Sequence, residues 1–143
     1  MTKAYLKKVV LQYLKKTNLC ALATCWKNQS WSATVFFAYD NTFNLFFFSR
    51  EDTRHCVCIA HNPIVSVAMH QGWVKGKMIQ GLQFVGQAKK VAAKDLKKYD
   101  AIYKKRYPWA AEFPDHVLYM IKPREVHYID QKRFGHFYRV RII

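Results

Sequence analysis

Leu45-Phe46-Phe47-Phe48-Ser49-Arg50-Glu51-Asp52-Thr53-Arg54-His55 runs from an apolar strand into a helix within eleven residues. Three successive phenylalanines favour an extended chain, and the charged triplet after Ser49 marks a turn. Thr53 has the residue type of a helix N-cap, with Arg54 in the first turn. A helix end of this kind offers unpaired N–H groups and a partial positive charge. The hydroxyls of Ser49 and Thr53 and the Arg54 guanidinium add donors there, a set suited to a phosphate. An ordinary capped helix with a solvated arginine accounts for the same letters. The strand is apolar on nearly both faces, which predicts cover on two sides, as in a barrel wall that also meets a partner.

Outward from this stretch the chain alternates short strands with a few helices. Residues 3–16 read as an amphipathic helix, with Leu6, Val9, Val10, Tyr13 and Leu14 on one stripe and lysines on the other. Cys20–Trp26 and Trp31–Tyr39 form a hairpin across Lys27-Asn28-Gln29-Ser30, and Asp40-Asn41 turns into a third strand, Phe43–Ser49. A helix from Arg54 to about His61 stops at Asn62-Pro63. Ile64–His70 is a strand by its Val65/Val67/Met69 alternation, residues 72–77 a basic turn, and Met78–Ala92 a long strand bent at Gly81 and Gly86. Lys94–Arg106 is a helix, Pro108–Pro114 irregular, and Val117–Lys122 and Glu125–Asp130 two closing strands before a basic aromatic tail. Hairpins dominate and no βαβ alternation occurs. The expectation is one domain over residues 1–143, mainly β (α+β): an antiparallel split β-barrel of about six or seven strands with peripheral helices.

The 143 residues suffice for one substantial core, and 51% hydrophobic content excludes a disordered chain. No apolar run approaches the roughly 20 residues of a spanning helix, and no secretory signal is evident, so a cytoplasmic protein without membrane insertion is expected. The four cysteines are expected as reduced thiols, since no secretion signal is evident, Cys56 and Cys58 face apart on a helix, and Cys20 and Cys25 lie on a different element. The six histidines share no metal-ligand spacing, and no metal is expected. Scattered acidic residues give no paired-carboxylate chemistry, and no nucleophile elbow or glycine-rich phosphate loop is present. A net charge of +15 predicts attraction to polyanions or phosphorylated ligands without choosing among them.

Four motifs in order carry a family resemblance: Phe46-Phe47-Phe48-Ser49, Thr53-Arg54-His55, Asn62-Pro63-Ile64-Val65-Ser66-Val67, and Ile79-Gln80-Gly81-Leu82-Gln83-Phe84-Val85-Gly86-Gln87-Ala88. Over residues 19–130 the chain resembles the FMN-binding split barrel of the pyridoxamine 5′-phosphate oxidase superfamily, in particular its small bacterial branch. The resemblance implies a homodimer with FMN at the subunit interface. Phe48 and Ser49 would end the flavin-binding strand, Thr53 open the helix, and Arg54 be the phosphate arginine. His55 stands where the oxidase often has a lysine. Gln80 and Gly81 would meet the flavin ring edge from the partner subunit. The strand Trp31–Tyr39 lacks the oxidase's arginine and lysine, and its C-terminal tryptophan–arginine signature is not evident around Tyr128–Asp130 or Arg133. These departures point away from pyridoxamine phosphate as substrate and leave heme or a deazaflavin as alternative planar cofactors.

The leading expectation is therefore an FMN flavoprotein, a small oxidoreductase whose cofactor carries the redox step for a small-molecule substrate; its catalytic residues are not assigned. One rival is a non-catalytic, basic nucleic-acid-binding module. Trp31, Phe36, Phe37, Trp73 and Trp109 are then candidate stacking platforms, and the tail Lys132–Arg141 a further contact, against core packing as the plainer role. A second rival is heme binding or degradation on the same fold.

Overall fold

The computed structural model describes residues 1–71, 76, 78–136 and 139–143. Its elements are α1 (Lys3–Lys16), β1 (Leu19–Trp26), β2 (Gln29–Tyr39), β3 (Leu45–Ser49), α2 (Arg54–His61), β4 (Ile64–His70), β5 (Gln80–Lys90), α3 (Ala93–Arg106), a 3-10 helix (Pro108–Glu112), β6 (Val117–Asp130), α4 (Gln131–Phe134) and β7 (Arg139–Arg141). The strands pair antiparallel in the order β3-β2-β1-β4-β5-β6-β7, and a further β3–β6 pairing closes six of them into a barrel, with β7 on the outside edge. The predicted barrel is thus the observed one. Of the sequence candidates, Trp73 and most of the basic turn at 72–77 lie outside the described residues, as do Phe137 and Tyr138 of the tail.

Local chemistry explains the joints. Lys27 and Asn28 both adopt positive φ (54° and 60°), the two-residue turn whose twist suits a tight hairpin, and Trp26 faces Gln29 across it. Asp40 fastens the β2–β3 connection: its Oδ1 accepts from the Thr42 and Asn44 amides, each at 3.0 Å. That loop holds Phe43 at φ 65° with its ring buried, so β3 begins at Leu45, two residues later than expected. α1 starts at Thr2, whose hydroxyl accepts from the Tyr5 amide at 3.1 Å. At its other end the Arg106 guanidinium donates to the carbonyls of Leu14 (3.0 Å) and Thr17 (2.5 Å), a cation on a helix C-terminus.

The barrel interior is filled by alternate residues of the strands, among them Leu22, Phe37, Leu45, Phe47, Leu82, Phe84, Ile121 and Tyr128. α1 supplies Val9, Val10, Tyr13 and Leu14, and α2 supplies Cys56 and Ile59. β3 is covered on both sides, as its composition predicts, but the second cover is the chain's own. Phe46 packs outward with Tyr103, Tyr107 and Ala110 of the α3 region, its ring 4.7 Å from that of Tyr99. Tyr107 locks this layer on, its hydroxyl donating to the carbonyls of Phe37 (2.6 Å) and Asn18 (3.1 Å).

β6 differs from expectation. It is one strand of 14 residues rather than two, continuing through Pro123. Gly86 pairs with Pro123 while Val85 pairs with Glu125, so Arg124 is the extra residue of a bulge. A bulge is where a strand tolerates proline, because the missing N–H falls at an interruption of the ladder. Among the described residues no helix is long and apolar enough to cross a membrane. All four cysteines carry free thiols.

Candidate functional site

The turn after β3 is built from short-range polar contacts. The Thr53 amide donates to the Arg50 carbonyl at 3.2 Å, and the Thr53 hydroxyl donates to the same oxygen at 2.9 Å. Thr53 also caps α2, accepting from the Cys56 amide at 3.4 Å. Arg50 pairs with Asp52 at 2.6 Å and reaches Asp115 at 3.7 Å, while Glu51 pairs with Lys90 of β5. These ion pairs are exposed and hold the turn's shape more than they add stability.

Inside the turn, the last residue of β3 meets the first turn of α2. His55 Nε2 lies 2.9 Å from Ser49 Oγ and 3.4 Å from Thr53 Oγ1. Ser49 is buried, and burial lowers the His55 pKa below its ordinary value, so the imidazole is neutral at pH 7. One imidazole and two hydroxyls therefore meet at the open end of a helix, where the first-turn N–H groups have no helical carbonyl to bind. This is a cluster that can donate to an anion without itself carrying a full charge.

The structure brings together only three of the seven sequence candidates. Ser49, Thr53 and His55 form the corner. Arg54 leaves α2 on another side, its guanidinium 4.2 Å from the centroid of the Trp31 ring on β2. Phe48 points to the outer side of β3, its ring 5.6 Å from Tyr103 and 5.4 Å from His116. It lines a cavity of about 690 Å³ between α3, the 3-10 helix and β6, together with Leu96, Lys97 and Phe113.

Gln80 and Gly81 lie at the far end of the barrel. Ser49 pairs with Val117 and Gln80 with Asp130, positions thirteen residues apart along β6 (130 − 117). Gln80 Nε2 donates to the Tyr128 hydroxyl at 2.5 Å, and that hydroxyl donates to Asp130 Oδ2 at 3.1 Å. Asp130 is buried and takes the Arg133 guanidinium at 3.3 Å and the Arg133 amide at 3.1 Å. The polar set Tyr128–Asp130–Arg133 escapes motif reading, because no spacing signals a hydrogen-bonded chain across a strand and a one-turn helix. Gly81 has a steric reason to be glycine: a Cβ there would stand 2.6 Å from the Met69 carbonyl oxygen of β4.

Among the described residues no group of three or more potential ligands is placed to hold a metal ion. Strand order and closure define an antiparallel split barrel. Residues 6–130 match the pyridoxamine 5′-phosphate oxidase family model, and the chain belongs to that family.

Its relatives are distant. A UPF0306 protein of Klebsiella pneumoniae is 23% identical over 120 residues, 83% of this chain and 81% of the relative. A heme-binding protein of Mycobacterium smegmatis superposes with a TM-score of 0.79 at 15% identity, covering 99% of this chain but 57% of that one. This chain thus spans little more than half of the Mycobacterium protein. An FAD-binding protein of Mesorhizobium loti superposes with a TM-score of 0.68 at 17% identity over 81% of this chain and 88% of its own.

Proposed function

We propose that the protein is a homodimeric flavoprotein that binds FMN and exchanges electrons with a small-molecule substrate. The observation that carries this reading is the corner where Ser49, Thr53 and His55 converge on the N-terminus of α2 in a member of this family. The donor set suits a phosphate dianion: the Ser49 hydroxyl, an imidazole able to donate, and the first-turn amides ahead of Cys56, with Thr53, whose own proton goes to the Arg50 carbonyl, fixing the corner. Arg54, exposed on the same turn, supplies the nearby guanidinium. When bound, the flavin supplies the redox chemistry, and the protein orients and shields it.

The second copy is part of the proposal for a geometric reason. Within one chain Gln80 and Gly81 are at the opposite end of β6 from the corner, so only a partner's pair can reach a ring whose phosphate sits there. The outer face of β1, β4 and β5 supports such a partner. It presents Ala21, Ser66, Ala68 and Val85, all exposed and none charged, a surface that pairs with itself at little desolvation cost.

The test is a titration of the purified protein with FMN, followed by flavin absorbance at about 450 nm and by thermal shift. Arg54→Ala is expected to weaken FMN binding by about 1–3 kcal/mol, through loss of a charge-assisted contact. Unchanged affinity removes Arg54 from the site, and no binding by the wild type removes FMN. Heme is the second reading, supported by the structural likeness to the Mycobacterium heme-binding protein; a Soret band on hemin titration, with no FMN binding, would select it.

A further inference from the structure

The side of α2 away from the Ser49 corner carries an aromatic and cationic surface of which the flavin reading uses only Arg54. The Arg54 guanidinium stacks on Trp31 at 4.2 Å. Trp26, at the end of β1, stacks flat on His61 of α2, with ring centroids 3.9 Å apart and 4° between planes. Lys27 Nζ stands 4.5 Å from the Trp26 ring centroid. Between them opens a cavity of about 380 Å³ bordered by Trp26, Lys27, Gln29, Arg54 and Val57. Trp31 remains 39% exposed, a large fraction for so large a ring.

The charge around this surface has one sign. Residues 1–39 and 53–94 contain no Asp or Glu, and β1, β2 and α2 all come from those two stretches. Of the acids that flank those stretches, Asp52 is paired with Arg50, Asp40 is bonded within its own loop, and Asp95 lies on α3. A ligand seated here meets the partly exposed Trp31 indole, the exposed Lys27 ammonium and the Arg54 guanidinium, with no carboxylate on the elements that border it. Indole planes attract bases of any sequence, and unopposed cations attract phosphates.

We propose that the β1–β2 hairpin tip and α2 bind single-stranded nucleic acid, with a base stacked at Trp31 and adjoining phosphates held by Lys27 and Arg54. A single strand suits the surface better than a duplex, because stacking on Trp31 needs an unpaired base face. It suits it better than a free nucleotide, because the excess positive charge extends over the whole chain, to +15. Arg54 is the residue it shares with the phosphate reading, while Trp31 and Lys27 lie apart from the Ser49 corner, so the site stands whether or not FMN binds there.

The experiment is fluorescence anisotropy of a labelled fifteen-residue oligo-dT strand against the full-length protein, at several salt concentrations from about 50 mM. Trp31→Ala is expected to weaken binding about tenfold, and Trp31→Phe to recover most of the loss. Lys27→Ala is expected to reduce the salt slope by about 0.7, as for one lost phosphate contact on a single strand. Lys97→Ala, on α3 and away from the hairpin, is expected to leave both affinity and slope close to the wild type. Melting curves of each variant confirm that the fold is intact. Saturating FMN, which shares only Arg54 with this surface, is expected to weaken strand binding no more than Arg54→Ala does. The proposal is overturned if Trp31→Ala binds as the wild type does, or if Lys97→Ala weakens binding as much as Lys27→Ala. It is likewise overturned if saturating FMN abolishes strand binding, or if dTMP displaces the strand at equal nucleotide concentration.

Discussion

Gly81→Ala separates two roles that one residue has been given: lining the flavin ring and letting β4 approach β5. The added methyl carbon would stand 2.6 Å from the Met69 carbonyl oxygen, 3.7 Å from its carbon and 3.8 Å from the His70 Cα. The first contact is close to an ångström inside ordinary van der Waals separation, and every atom involved is backbone. Relief therefore requires β4 and β5 to part at the His70–Gly81 pair rather than a side chain to turn. Overpacking of this kind costs about 1–3 kcal/mol, and the rigid neighbour places this case near the upper end. For a domain of this size that corresponds to a fall in Tm of about 6–9 °C. Gly76→Ala provides the comparison: with φ at +84° and nothing within 4 Å, it carries only the conformational cost of about 1–2 kcal/mol. Both variants are melted with and without FMN, by circular dichroism. The steric account requires Gly81→Ala to melt low in both conditions. A melt within about 1 °C of the wild type, with only the FMN-induced shift lost, would refute it and leave Gly81 as a ligand contact.

Two further predictions follow from single groups. Tyr107→Phe removes the hydroxyl that donates to the Phe37 and Asn18 carbonyls and leaves a buried acceptor unpaired, at about 1–3 kcal/mol in urea unfolding; a loss below about 0.5 kcal/mol would show that this bond does not hold α3 to the barrel. Burial keeps His55 neutral, with a folded pKa below the unfolded one, so the unfolded chain binds the proton more readily. Its contribution is therefore complete above the unfolded value of about 6.5 and declines as pH falls below that. Unfolding free energies at pH 7.5 and 5 are expected to differ less in His55→Gln than in the wild type, and an equal difference would remove His55 from the acid response.

Much of the fold can be read from local chemistry. Thr53 and Asn62-Pro63 bound α2, and the Val65/Val67/Met69 alternation bounds β4, because caps and period-two burial are written in neighbouring residues. β6 could not be read in this way. Pro123 suggests a break, and its tolerance depends on the bulge opposite Gly86, a property of pairing between distant segments. The cover on β3 is half legible: Phe46 and Phe48 call for an outer layer, but that α3 supplies it is decided by tertiary packing.

The candidate site divides for reasons the sequence does contain. Phe48 and Ser49 are strand neighbours and must face opposite sides, and Arg54 and His55 are about 100° apart on a helix. Grouping all four by adjacency overlooks those periods. Gln80 is separated by topology instead, through the length of β6.

The central claim is that a phosphate dianion sits where Ser49, Thr53 and His55 meet the start of α2. Equilibrium binding of FMN beside riboflavin, which has the same ring and no phosphate, addresses it most directly. The account predicts that FMN binds at least about tenfold more tightly, a difference of about 1.4 kcal/mol, and that Thr53→Ala and Arg54→Ala each narrow the gap. Equal affinity for the two flavins, or a gap that both variants leave intact, would contradict it.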